Sequence, residues 1–200
     1  MNTHSSKSRF AASDITKAAM FIALMAIGAN ATAFITIGTV PMTFQPVVAI
    51  LAGALLGSRL GSFSIIGYTV LGLIGAPVFA QFSGGPQTFV SPTFGFILSF
   101  ILMAYVTGKI VEKSKGSLSS YMAACFAGLA VNYVFGVTYL YLHMVYVLGL
   151  GDVTYLATYA SMGPFFIKDF ILTGFAASIC PQIASAVNRR RPVQPERAVS

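Results

Sequence analysis

Lysine and arginine fall almost entirely at the ends of this chain and in short gaps, and between those gaps run apolar stretches of about the length that crosses a bilayer. A transmembrane helix needs about 20 mostly apolar residues, because backbone polar groups that meet no water must be satisfied inside the segment. On that rule six spans are predicted, at residues 18–37, 45–57, 61–80, 92–111, 121–148 and 164–187. The second is short and opens with Gln45-Pro46, so part of it is expected to be tilted or buried in protein. Charged residues make up 8% of the chain, against roughly a quarter in soluble domains. With a mean hydropathy of +0.79, this apolar surplus calls for lipid as solvent. The expected fold class is therefore an all-α integral membrane protein of six transmembrane helices.

The basic residues set the orientation. Lys7, Arg9 and Lys17, then Arg59, then Lys109, Lys113 and Lys115, and finally Arg189, Arg190, Arg191 and Arg197 fall on one side, eleven of the twelve in the chain. The intervening gaps, 38–44, 81–91 and 149–163, hold no Lys or Arg. By the positive-inside rule the latter are extracytoplasmic and both termini cytoplasmic, which locates the chain in the cell (cytoplasmic) membrane. A cleaved signal peptide competes for the first span, since Ala31-Thr32-Ala33 has the small-residue form of a cleavage site. The leader is long for that reading, and the apolar run continues past the cut through Phe34, Ile35 and Ile37. The domain reading is a polar cytoplasmic N-terminus (1–17), one membrane domain (18–187) and a basic, disordered cytoplasmic tail (188–200).

Several function classes drop out. The net charge of +7 would suit nucleic acid in a soluble protein, but here it lies where topology is set, so no nucleic-acid partner is expected. The only Gly-Lys pair, Gly108-Lys109, precedes Ile110 and lacks the glycine that opens a phosphate-cradling loop, so the chain carries no ATP site of its own. Cys125 and Cys180 have no ligand partners at metal spacing and read as packing residues, so neither a metal nor a cofactor is expected. No paired carboxylates or triad-like groups support catalysis, and the chain is read as a non-enzyme.

Polar groups inside spans are costly and normally face protein or a cavity. Lys168-Asp169 lies about one turn into the sixth span, roughly 6 to 8 Å along the axis from Pro164. Consecutive side chains diverge by about 100°, so the pair is expected to flank a cavity without collapsing together. The competing reading is a self-neutralising pair that snorkels to the interface. Asn132 in the fifth span offers two donors and an acceptor, as ligand contact or as interhelical glue. Thr43, Gln45, Gln81, Ser83 and Gln87 lie in or beside the outer loops, where a ligand from outside would meet them; taken singly, each also reads as an ordinary solvated loop residue. A cation, a carboxylate and amides among apolar walls suit a small, mostly apolar molecule. Lys168 would take its carboxylate and Asp169 its N–H groups. Tyr139, Tyr141, Tyr146, Tyr155 and Tyr159 read mostly as an interface belt. Ala19, Ala23, Ala26 and Ala33, with Asn30, form a small-residue stripe that allows close approach of another helix, internal or from a partner.

Val40-Pro41-Met42-Thr43-Phe44-Gln45, then Leu51-Ala52-Gly53-Ala54-Leu55-Leu56-Gly57-Ser58-Arg59-Leu60-Gly61, then Gly72-Leu73-Ile74-Gly75-Ala76-Pro77-Val78-Phe79 and Ser91-Pro92-Thr93-Phe94-Gly95-Phe96 resemble the BioY family. That family supplies the biotin-binding S component of energy-coupling factor (ECF) transporters. The resemblance implies biotin as ligand, captured from outside, and as partners a transmembrane T component and two cytoplasmic ATPases. It also implies that Ala19 and Ala23 correspond to the Ala-x-x-x-Ala surface offered to the T component, and Asn132 to a ligand-contacting Asn. The family's sixth helix typically reads Pro-Phe-x-Pro-x-Asp-x-x-Lys. This chain keeps Asp169 but has Leu172 at the Lys position, with Lys168 four residues earlier on nearly the same face. Lys168 is the expected replacement cation.

Overall fold

The computed structural model describes residues 11–114 and 116–189, with side chains through residue 186. Residues 1–10, Lys115 and the tail beyond 189 lie outside the described residues, so most of the expected disordered tail does too. The elements are α1 (Ala12–Asn30), β1 (Thr36–Ile37), β2 (Val40–Pro41), α2 (Gln45–Leu73), two short 3-10 turns at Ala80–Phe82 and Pro86–Val90, α3 (Phe94–Lys113), α4 (Leu118–Tyr146), α5 (Tyr155–Ser161) and α6 (Gly163–Arg189). Five of the helices are long and apolar enough to cross a membrane.

The difference between five helices and six expected spans sits in α2. Its 29 residues are broken at Gly57, whose φ of 83° and ψ of 173° are not helical. The Gln45 side-chain amide lies 2.9 Å from the Tyr68 hydroxyl, whereas 23 residues of straight helix would separate them by about 35 Å. Limbs 45–56 and 58–73 are therefore antiparallel. Glycine is needed at the turn twice over. The positive φ disfavours a side chain, and a Cβ would meet a Glu112 carboxylate oxygen at 2.7 Å. Glu112 instead accepts the Ser58 N–H at 2.6 Å and the Ser58 hydroxyl at 2.9 Å, so a carboxylate caps the positive start of the second limb. The first limb, about 18 Å long, buries Gln45, Pro46, Ala49, Ile50, Ala52, Gly53 and Ala54.

Limb contacts and glycines build a tight trunk from α2, α3 and α4. A Cβ at Gly53 would strike the Ala104 carbonyl at 2.3 Å, one at Gly61 the Ala52 carbonyl at 2.7 Å, and one at Gly108 the Ser58 nitrogen at 2.3 Å. Ile50, Ile65, Met103, Leu129, Val137 and Leu140 fill the space between these backbones. Cys125 and Cys180 are buried free thiols in side-chain contact.

Several boundaries shift from expectation. α1 begins six residues earlier than the predicted span, because Asp14 accepts the Ala11 N–H at 3.2 Å and pairs with Lys17 at 3.8 Å, extending the helix through polar sequence. It also ends at Asn30, well before Ile37. Asn30 bonds the Ala26 carbonyl and receives the Phe82 N–H at 2.7 Å, and the chain turns away into the β1–β2 hairpin at Gly38. The third predicted span likewise stops at Leu73 rather than Ala80. α5 occupies part of the gap expected to be loop, started by Thr154, whose hydroxyl accepts the Ala157 N–H at 3.2 Å.

Candidate ligand-binding cavity

The chain segments 39–46 and 79–93 fold over one end of the trunk and enclose a cavity of about 270 Å³. Thr43, Gln45, Gln87, Asn132, Lys168 and Asp169 all line it. Phe79, Phe96, Ile97, Phe100, Met162 and Phe165 give it apolar walls.

Each polar group is held by its own surroundings. Gln45 is buried at the start of α2 and donates to the Tyr68 hydroxyl, which donates in turn to the Val78 carbonyl at 3.0 Å. Asn132, 1% exposed on α4, accepts from the Ser99 hydroxyl at 2.6 Å through Oδ1. Its Nδ2 has no hydrogen bond among the described residues, and Asn132 lines the cavity. Gln87 is exposed at the mouth, its side-chain amide donating to the Gly84 carbonyl. Gln81 donates to the Ala33 carbonyl at 3.3 Å and Ser83 to the Ala80 carbonyl at 2.8 Å, so both loop residues knit the cover together while lining the cavity.

Lys168 and Asp169 do not diverge as expected. The Lys168 ammonium lies 2.9 Å from Asp169 Oδ1, because a four-carbon stem easily reaches round the 100° between neighbouring positions. Burial also favours a paired charge over two separate ones. The pair does not snorkel: the side chains are 18% and 5% exposed. Lys168 also donates to the Thr43 backbone carbonyl and lies 5.9 Å from the centre of the Phe44 ring. It thus joins α6 to the chain entering α2, and the expected separation of a cationic and an anionic end is replaced by one dipolar end. Leu172, at the position where the resemblance implies a Lys, does not line the cavity.

Two residues that sequence reasoning passed over organise this end. Tyr133 donates to Asp169 Oδ2 at 2.8 Å, and Tyr68 orients Gln45. A tyrosine well inside an apolar span signals a buried hydroxyl in need of a partner. Tyr159, on α5, donates to the Tyr133 carbonyl at 3.2 Å. Burial, and then a hydrogen bond with Tyr155, push its phenol up to about 12, so it remains a donor at neutral pH. Ala19 and Ala23 lie elsewhere, exposed on the outer face of α1 beside Met20, Leu24 and Ile27, while Ala18, Phe21 and Met25 turn inward.

A model of the BioY family matches residues 1–189. The biotin transporter BioY of Thermotoga maritima is 42% identical over 123 residues, covering 62% of this chain and 71% of that protein. The putative biotin transporter BioYB of Bacillus subtilis is 35% identical over 188 residues, 89% of this chain and 90% of its own length. Among solved structures, the S-component for biotin from an ECF-type ABC transporter aligns with a TM-score of 0.66 over 86% of this chain and 91% of that one, at 23% identity, which shows a shared fold. With nearly its whole length matched by one family model and by a relative of almost equal extent, this chain belongs to the BioY family.

Proposed function

We propose that the chain captures biotin at the external face of the cytoplasmic membrane as the substrate-binding S component of an ECF-type transporter. It would do so with six membrane segments, the two limbs of α2 counting separately, and with both termini in the cytoplasm. The observation that carries this reading is the buried dipolar end of an otherwise apolar cavity, formed by Lys168, Asp169 and Asn132. Biotin has a ureido group with two N–H donors and one carbonyl, an apolar fused ring and a carboxylate on a flexible arm. Asp169 accepts one ureido N–H, the Lys168 ammonium and Asn132 Nδ2 donate to the ureido carbonyl, and the aromatic walls enclose the ring. The carboxylate lies toward the mouth, where Gln87, Ser91 and Thr93 offer polar groups, since burying an unpaired charge is costly. A cavity of about 270 Å³ lies just below the ~300–1,000 Å³ range of ligand pockets, in keeping with a ligand of vitamin size.

Sidedness is supported by where the cavity opens. Its cover comes from segments without Lys or Arg, while Lys17, Arg59, Lys109 and Lys113 gather at the opposite ends of the helices. Because the sequence carries no nucleotide-binding loop, energy for release comes in this reading from a T component and two ATPase subunits, with the exposed Ala19 and Ala23 face of α1 as the docking surface. The test is equilibrium binding of labelled biotin to the purified chain, with other small vitamins as competitors. Saturable binding at micromolar Kd or tighter, at least about 8 kcal/mol, displaced by unlabelled biotin alone, is expected. Displacement by a different vitamin at lower concentration would reassign the ligand, and a monodisperse chain without saturable binding would remove the reading.

A further inference from the structure

Asp169 is 3% exposed, and its two oxygens are treated differently. Oδ2 accepts the Tyr133 hydroxyl at 2.8 Å. Oδ1 lies 2.9 Å from the Lys168 ammonium, yet has no hydrogen bond of good geometry and no exposure to solvent. An acid side chain turns readily about its last torsion, which has broad two-fold wells, so something else must decide which oxygen is offered. Lys168 is a poor reference point, being a flexible stem whose ammonium is shared with the Thr43 carbonyl. Tyr133 is a good one. It is 6% exposed, its ring meets Phe166 edge to face at 5.2 Å, and its carbonyl is held by Tyr159.

We infer that Tyr133 is the positioning residue that sets the hydrogen-bond specificity of the cavity: its hydroxyl fixes the Asp169 carboxylate through Oδ2, so that Oδ1, covered by Lys168 until that ammonium turns to the ligand's carbonyl, can then accept an N–H of the bound molecule. Without that hydroxyl the carboxylate turns both oxygens onto the Lys168 ammonium, the stronger local donor, and the ligand's N–H loses its acceptor. This rests on the biotin reading above. A Tyr133 that only packs would shift affinity for every ligand by a similar factor. A positioning Tyr133 instead controls the ratio between a ligand that donates an N–H and one that does not.

The experiment measures Kd for biotin and for a biotin analogue methylated at a ureido nitrogen, in wild type, Tyr133→Phe and Phe166→Leu, each checked for monodispersity. Wild type is expected to favour biotin by about tenfold or more, the usual effect of losing a hydrogen bond to a charged group. Tyr133→Phe is expected to reduce that ratio to about threefold or less. Phe166→Leu disturbs the ring packing but keeps the hydroxyl, so it should weaken both ligands alike and preserve the ratio. Where Phe is not tolerated at 133, Tyr133→Gln, too short to reach Oδ2, is read the same way. A wild-type ratio in either Tyr133 variant overturns the inference while leaving biotin binding standing, whereas wild type without biotin binding overturns both.

Discussion

The trunk and the flanks of this molecule are built differently. In their most apolar stretches, 50–56% of α2, α3 and α4 is buried, against 28% of α1 and 33% of α6. The trunk is locked by glycines that let backbones touch, as at Gly53, Gly61 and Gly108. α6 is attached near the cavity by aromatic packing, as in Phe126–Phe170 with ring centres 4.8 Å apart, and by polar contacts from Asp169 and Lys168. The cavity lies on the seam between them. Asn132 and Gln45 come from the more deeply buried part, and the Lys168–Asp169 pair from a less buried one, which is where low-energy local opening is expected. A ligand bridging the two would draw the flank onto the trunk.

The comparison breaks first in the trunk. Gly108→Val places side-chain atoms inside the Gly57–Ser58 backbone, a clash that cannot be relieved by turning a rotamer. A stability loss of about 3 kcal/mol or more is expected from such overpacking, seen as loss of the monodisperse species on size-exclusion chromatography. On the flank, Lys168→Met strips Asp169 of its counter-charge and the Thr43 carbonyl of its donor. The expected outcome is biotin affinity lowered at least about tenfold, from the loss of a charge-assisted hydrogen bond, with faster amide exchange in residues 31–44 while trunk amides stay protected. The smallest effect on the isolated chain belongs to the outer face of α1. Ala19→Trp with Ala23→Trp should leave biotin Kd within about twofold, since neither residue lines the cavity and isolated surface substitutions are near neutral. The same double variant should abolish co-purification with T component and ATPase subunits, and retention of the complex would remove α1 as the docking face.

Long elements were legible in the sequence because twenty apolar residues have few alternatives. α3, α4 and α6 begin within three residues of expectation. The second and third predicted spans correspond to the two antiparallel limbs of α2, with the reversal one residue before the charged gap, at Gly57, because backbone freedom and the Glu112 carboxylate fix the turn. The β hairpin, the 3-10 turns and α5 were not legible, since elements of two to seven residues depend on local turn chemistry and on what they cover. At the site, the residues singled out for being polar in an apolar chain do line one cavity. What sequence could not supply was direction. Lys168 and Asp169 fold onto each other rather than apart, and the roles of Tyr68 and Tyr133 depend on partners 10 to 36 residues away that spacing along one helix does not reveal. Tyr139 does more than sit in an interface belt, and His143, one turn on, acts with it. They bond the Phe89 and Val90 carbonyls at 2.9 Å each, tying a lining segment of the cavity to α4.

The seam is tested most directly by equilibrium binding of labelled biotin to Asp169→Asn beside wild type, both monodisperse and of matched thermal stability. If the dipolar end holds the ureido group, the variant loses at least about tenfold in affinity, about 1.4 kcal/mol or more. An Asp169→Asn chain that binds biotin as tightly as wild type would place the ligand somewhere other than on the Lys168–Asp169 pair.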